Sequence, residues 1–310
     1  MSLQIIKSGI ADTLQDKGRY GYQNLGIQAN GYLDYLSAQL ANDILRNPIQ
    51  SPVFELHFPS SSFVFKNSYT ICITGANFAP ILNEKSIALY TPIQVKENDC
   101  LQFLQPIAGR VSYLAIQGQI QEKDWLDSHS FFNRRLQKGD QFEWAVLDAE
   151  KRNESSEYNS SEYNNNNINE INNHIFSTHP LQFIPGPAWE DLTKESQQSF
   201  LSTEYHIGIQ ANRMGYPLKG KLLELSKPNE YLSSAVTRGT IQLLPNGGLM
   251  VLMADHQTIG GYANLGQIIL VDLPRLAQLP HKTSIHFKET SVETAHKSYL
   301  AFEKKFIHRS

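Results

Sequence analysis

The chain is built from runs of three to six apolar and β-branched residues, each cut short by a turn signal. Such runs are long enough for a strand and too short for a helix of ordinary length. Ser62–Phe65 and Tyr69–Thr74 flank Lys66-Asn67-Ser68 in the manner of a hairpin. Ile81–Leu82, Ile87–Tyr90, Ile93–Val95 and Leu101–Leu104 follow, with turns at Asn83-Glu84 and Glu97-Asn98-Asp99, and Val111–Ile116 continues the series. Strands resume at Leu181–Ile184, Ile241–Leu244, Leu249–Met253 and Ile268–Val271. Many short strands without intervening helices predict an antiparallel barrel or sandwich, so the fold class is mainly β.

Only a few segments read as helix. Leu33, Leu36, Leu40, Ala41 and Ile44 recur at helical spacing across Tyr32–Leu45, and Asn47-Pro48 closes that run. A weaker pattern covers Trp189–Leu201, and Thr290–Phe306 has helical character. Between the strand-rich halves, residues 153–173 are rich in Asn, Ser and Glu, with too little apolar surface to offset the entropy of ordering. The expected organisation is one domain over 1–150, a flexible insert or linker over 151–175, and a second domain over 176–310. A length of 310 residues suits two domains.

Composition excludes several classes. A net charge of −3 gives no global field for nucleic acid or an anionic membrane. Two cysteines, outside any C-x-x-C spacing, make neither a disulfide framework nor the usual zinc module, and both read as core. The ten histidines fall in no metal-ligand spacing, so no metal is assigned; His57 and His286 read as strand histidines. No run reaches the length of a membrane span, and the N-terminus lacks a signal-peptide core, so a cytoplasmic location is expected. Gly215–Lys221 has the Gly-x4-Gly-Lys spacing of a phosphate loop, but Leu222 offers no hydroxyl to magnesium and Pro217 suits a turn into a strand. No Gly-x-Ser-x-Gly elbow is present.

Two patterns suggest chemistry. Gly21-Tyr22-Gln-Asn-Leu-Gly26 recurs as Gly261-Tyr262-Ala-Asn-Leu-Gly266, and Arg19-Tyr-Gly21-Tyr22 is echoed by Arg213-Met-Gly215-Tyr216. Glycine allows the backbone close to a ligand and tyrosine adds a ring and a hydroxyl, which makes Arg19, Tyr22, Tyr216 and Tyr262 candidates for substrate binding. The denser pattern is Met253–Tyr262, where an apolar strand ends in Asp255, His256, Gln257 and Thr258 before Gly260-Gly261. Asp255 is a proton acceptor or an orienter of an amide N–H, and His256 a proton shuttle near neutral pH.

These residues, with others, carry a resemblance. Thr13–Tyr22, Asn30–Asp34 with Leu40–Asn42, and Ile73–Asn77 are similar to N-terminal signatures of the biotin-dependent carboxyltransferase family, also called allophanate hydrolase subunit 2. Asn212–Tyr216, Gly239–Gln242 and Met253–Tyr262 resemble its C-terminal signatures. The family includes the C subunit of 5-oxoprolinase, a Kip-type antagonist of a kinase inhibitor, and one part of urea carboxylase. The resemblance implies two cyclophilin-like β-barrel domains with a few short helices. It also implies a heteromeric complex with a B-type cyclophilin-like protein and, for 5-oxoprolinase, with that enzyme's A subunit. Its implied activity is that of one subunit of an amide hydrolase, opening 5-oxoproline to glutamate with ATP and water. The alternatives are a non-catalytic binding protein antagonising a kinase inhibitor, and the carboxyltransferase part of a urea carboxylase or allophanate hydrolase system. ATP is expected mainly on a partner, and biotin only if a partner carries it, because this chain has no Met-Lys-Met.

Arg213, Asp255, Gln257 and Tyr262 occupy matching positions. Together with His256, read from the polar cluster at the strand end, Arg213 and Asp255 make up the expected catalytic set, and the substrate is a small amide. The chain departs from the family pattern at His256, where Arg is common, at Ile259 (Thr), and at Ala263 (Pro). The Gly-rich stretch that follows a Ser-x-Ser element is shortened here to Ser128–Arg135.

Overall fold

A computed structural model describes residues 2–131, 134–145, 165–227 and 230–306. The chain divides into two compact units, the first comprising residues 2–19 and 30–175 and the second residues 20–29 and 176–306. The first domain expected over 1–150 thus gives up Tyr20–Ala29 to the second unit and gains the helix Asn165–Ile175, whose Ile171 and Ile175 are buried. That helix lies in the stretch read as a flexible insert; the rest of the stretch, 151–164, lies outside the described residues. Asn-rich composition hid two apolar residues four apart, enough to lay one helical face on a core.

The first unit has two antiparallel sheets. One has seven strands in the order Gln119–Ile120, Gln141–Ala145, Ser2–Lys7, Ser62–Phe65, Cys100–Phe103, Pro80–Leu82 and Lys85–Ser86. The other has five, in the order Thr13–Gln15, Val53–Leu56, Ala108–Ile116, Tyr69–Asn77 and Ile93–Val95. Their shared core holds Leu3, Phe54, Phe63, Ile71, Leu114 and Phe142. Ser62–Phe65 and Tyr69–Asn77 belong to different sheets, so the expected hairpin is a corner between sheets. Ile87–Tyr90 is no strand: Tyr90 has φ +59° and its hydroxyl donates to the Gly75 carbonyl at 3.0 Å.

The helix Tyr35–Ile44 lies against Tyr69–Asn77 and Ala108–Ile116, burying Leu36, Ala38, Leu40 and Ala41. Its start explains the Asn30–Asp34 signature. Asp34 is the N-cap, accepting from the Ser37 amide at 3.0 Å and the Ser37 hydroxyl at 2.6 Å. Asp34's own amide donates to the Tyr113 hydroxyl at 2.7 Å, and that hydroxyl donates to buried Glu55 at 2.9 Å. Gly31, at φ +91°, passes so close to the Lys17 carbonyl that a Cβ would lie 2.7 Å from its oxygen. This signature is therefore a fastening for the helix.

The second unit is an eight-stranded sheet in the order Ser284–Ile285, Tyr205–Ile207, Gly215–Lys219, Leu249–Leu252, Thr240–Leu243, Ala263–Ile268, Leu181–Pro185 and Phe287–Glu289. Its two edge strands are separated in sequence by His286 alone, so the sheet nearly closes into a barrel. Phe183, Trp189, Phe200, Tyr205 and Phe287 pack inside it, Phe200 stacked on Phe287 with centroids 4.5 Å apart. The helix expected from Trp189 starts later, at Lys194–Ser202, where Thr193 caps it by accepting from the Ser196 amide. The run Ile268–Val271 is a strand end turning into a 3-10 helix at Leu270–Asp272, and Val292–Phe306 is helical. Gly215–Lys219 is strand, which leaves no phosphate loop there.

Cys72 is buried, but Cys100 is only half-buried, on the outer face of its strand. Neither expected strand histidine lies in a strand: His57 follows Val53–Leu56, with Nε2 3.5 Å from Glu55, and His286 falls between Ser284–Ile285 and Phe287–Glu289. No helix among the described residues is long and apolar enough to cross a membrane. The cap makes a direct prediction. Asp34→Ala lowers unfolding free energy by about 1 kcal/mol in urea titrations of the intact chain.

Candidate active site at the strand ends of the second unit

Gly215–Lys219 pairs antiparallel with Leu249–Leu252, Gly215 opposite Leu252. The ladder runs on past both strand ends: the Met253 amide donates to the Met214 carbonyl at 3.0 Å, and the Asp255 amide to the Arg213 carbonyl at 2.8 Å. Arg213 and Asp255, 42 residues apart, are thereby set side by side. Arg213 Nε donates to Asp255 Oδ2 and an Arg213 terminal nitrogen to Oδ1, both at 2.8 Å. This is a bidentate, charge-assisted pair, fixed in direction as well as distance. The Gln28 side-chain amide adds a further fastening, donating to the Asp255 backbone carbonyl at 2.8 Å. Asn212 steadies the turn by accepting from the Met214 amide at 2.8 Å.

His256 is only 7% exposed. Its Nδ1 lies 2.5 Å from the Gln257 carbonyl, which has no proton to give, so Nδ1 carries the hydrogen and Nε2 keeps the lone pair. Burial pushes the imidazole below its ordinary 6.5 and the nearby Arg238 charge adds to this, against opposing effects of the Gln257 carbonyl and Asp255. At neutral pH it is an acceptor, where a guanidinium would be a fixed cation.

The same loop carries the remaining candidates. The Thr258 carbonyl accepts from the Val236 amide at 3.2 Å and so ties the loop to the ribbon of Ser234–Ala235 and Ile259–Gly260. Gln257 turns its amide toward Gly260, where a Cβ would lie 3.4 Å from Gln257 Nε2 and 2.6 Å from Gln242 Nε2. Tyr262, just beyond the ribbon, is 47% exposed and stands at the rim.

Three candidates fall elsewhere. Tyr216 is a core residue whose hydroxyl reaches toward the Ala277 carbonyl at 3.5 Å. Tyr22 is half-buried at the start of the 3-10 turn Gln23–Leu25, its carbonyl accepting from the Leu25 amide at 3.0 Å. Arg19 is buried in the first unit, its guanidinium committed to Asn30 Oδ1 at 2.5 Å and to the Ser130 carbonyl. The repeated Gly-Tyr pattern thus marks three unlike environments: alternation in a strand buries Tyr216, a 3-10 turn leaves Tyr22 half-buried, and a loop end leaves Tyr262 exposed. No group of three or more metal-ligating side chains occurs among the described residues.

Against known proteins, the model of the carboxyltransferase domain, subdomain A and B, matches residues 25–289. The chain belongs to this family. It is 29% identical over 305 residues to the 5-oxoprolinase C subunit of Escherichia coli K12, covering 96% of this chain and 94% of that protein. It is 26% identical to the urea amidolyase of Lachancea kluyveri, covering 95% of this chain but 17% of that protein. The solved K. lactis urea amidolyase superposes with a TM-score of 0.84 at 20% identity, over the whole of this chain and 20% of that one, a likeness of fold.

In this carboxyltransferase domain the Thr13–Tyr22 signature serves a cluster that no local motif announces. Buried Asp16 accepts at Oδ1 from the Ser128 and Ser130 hydroxyls, each 2.7 Å, and from the Gly18 amide at 2.8 Å; Oδ2 accepts from the His129 amide at 2.6 Å. Burial pushes the Asp16 carboxyl up, but the His129 contact and these hydrogen bonds outweigh it and hold it down at about 2. His129 in turn is raised above 6.5 by Asp16, 3.8 Å away, against the effect of burial. The signal lay in Ser128-x-Ser130, two hydroxyls on one side of an extended segment, but nothing nearby named the carboxylate 112 residues upstream.

The two histidines should titrate on opposite sides of 6.5. By ring-resonance NMR, His256 has its midpoint below that value and His129 above it. The signs differ for stability too. A depressed histidine costs stability as pH falls below the unfolded value, whereas a raised one loses its contribution as pH rises through its folded value. His256→Gln therefore flattens the loss of stability on acidification below about pH 6.5, and His129→Gln does not.

Proposed function

We propose that the chain is the C subunit of an ATP-dependent 5-oxoprolinase, opening 5-oxoproline to glutamate together with A-type and B-type partners. The supporting observation is the end-to-end relation to a protein named as the C subunit of 5-oxoprolinase, with over nine-tenths of both chains aligned. The relation to urea amidolyase covers a far smaller share of that protein. It supports, as a second reading, a carboxyltransferase part working with a biotin-bearing partner.

On this reading the catalytic set is Arg213, Asp255 and His256. Asp255 acts as the positioning residue, because both of its oxygens accept hydrogen bonds from Arg213 and so fix the direction of the guanidinium. Arg213 holds the negative charge that develops on the lactam oxygen or on a phosphorylated form of it. His256 Nε2 takes the lactam N–H proton as the lactam oxygen is phosphorylated from ATP. Water then adds to the lactam carbon, and the C–N bond breaks with the proton returned to the nitrogen. The acyl phosphate left behind is hydrolysed to the carboxylate and inorganic phosphate. Gln257, Thr258 and Tyr262 bind and cover the ring. ATP is held chiefly by a partner, and biotin enters only if a partner carries it. Cytoplasmic location follows from the same reading.

Reconstitution with the host's A-type and B-type partners tests this by glutamate release from 5-oxoproline. Wild-type chain supports turnover, and His256→Ala lowers kcat by about 10²-fold or more, with assembly unchanged by gel filtration. Assembly without turnover, in the wild type, supports the regulatory reading instead. A streptavidin-reactive partner and carboxyl transfer to urea support the biotin-dependent one.

A further inference from the structure

The first unit carries a cleft of about 380 Å³ that the proposed chemistry leaves unused. Its walls are two aromatic rings, each with a guanidinium on one face: Arg19 lies 4.7 Å from the Trp125 centroid and Arg134 4.5 Å from that of Phe131. Its mouth carries Lys123, Arg134 and one carboxylate, Glu122. His129 and the hydroxyls of Ser128 and Ser130 also line it, but their polar atoms are turned to the Glu122 carbonyl and to Asp16. The floor is thus rigid and its hydrogen bonds are satisfied.

Trp125 is held out at some cost. It is 48% exposed, whereas the other two tryptophans, Trp144 and Trp189, are 3% and 5% exposed. The tight turn that presents it closes with the Trp125 amide on the Ser128 carbonyl at 2.8 Å. Its central residues are Leu126 at φ +54° and Asp127 at φ +56°. Turns of this hand favour Asn-Gly, and side chains held there store strain of the kind found at ligand clamps. Folding alone would favour glycine in this turn and a polar residue in place of the indole.

We propose that this cleft binds a small carboxylate bearing a flat ring, the ring lying against Trp125 and Phe131 and the carboxylate turned toward Lys123 and Arg134. Arg134 is shared with Asp140 at 3.5 Å, which leaves Lys123 as the main attractive charge and Glu122 as the opposing one. The site lies wholly in the first unit, so it stands or falls independently of the Arg213–Asp255 assignment.

The test uses the full chain labelled with 15N, whose three tryptophans give three indole N–H resonances, and Trp125 is assigned by loss of its peak in Trp125→Phe. Three probes are titrated: nicotinate (flat and charged), nicotinamide (flat and uncharged) and cyclohexanecarboxylate (charged and not flat). Nicotinate is expected to shift the Trp125 resonance saturably and the other two indoles not at all. Nicotinamide and cyclohexanecarboxylate should bind at least about fivefold more weakly, since each lacks one of the two interactions. Lys123→Gln should weaken nicotinate about threefold and Glu122→Gln should tighten it by a similar factor. Both are surface changes that leave the fold intact. No shift at Trp125, equal binding of all three probes, or unchanged affinity in both variants overturns the proposal.

Discussion

The candidate chemistry rests on one piece of strand register. Gly215 stands opposite Leu252, and two further backbone hydrogen bonds carry that pairing past the ends of the strands. Shifted by one residue, the ladder would turn Asp255 away from Arg213, because neighbouring side chains on a strand face opposite ways. The register is held by the near-closure of the barrel, which leaves the strands little freedom to slide. A bidentate pair between two mostly buried groups gains from that rigidity. Its two hydrogen bonds need no ordering when substrate arrives.

Buried carboxylates do comparable work in the first unit. Asp12 accepts from the His57 and Ser61 amides, each at 2.6 Å, Asp16 gathers the Ser128–Ser130 segment, and Glu55 joins Leu33 to Tyr113. Each draws together segments distant in sequence and offers a backbone donor a carboxyl oxygen as acceptor. This answers the scarcity of charge in the chain, 18% of residues. Several of the acidic residues it has are structural anchors, and in the second unit Asp255 combines such an anchor with a place beside an imidazole.

Much of the fold was legible in sequence because it depends on local pattern. Short apolar runs with turn residues gave most of the strands, and the 3-4 spacing of Leu36 to Ile44 gave the helix. Pairing was less legible. The corner at Lys66–Ser68 looks like a hairpin because turn residues report a reversal and not which sheet the chain enters next. The site was partly legible: Asp255 to Thr258 stood out as polar residues ending an apolar strand, and Arg213 came from its resemblance to a family signature. That Asp255 is bonded to Arg213, that Tyr216 is core, and that Arg19 is committed to Asn30 and Ser130 all depend on contacts between distant segments. No spacing in the chain records them.

On the proposed reading, Arg213 and Asp255 act as one unit in 5-oxoproline opening. A double-mutant cycle on glutamate release by the reconstituted complex tests it most directly, using Arg213→Lys, Asp255→Asn and the two combined. If the pair is a unit, either change alone costs about as much in kcat as both together, with little further loss in the double variant. Losses that multiply, or single variants with wild-type kcat, would contradict it.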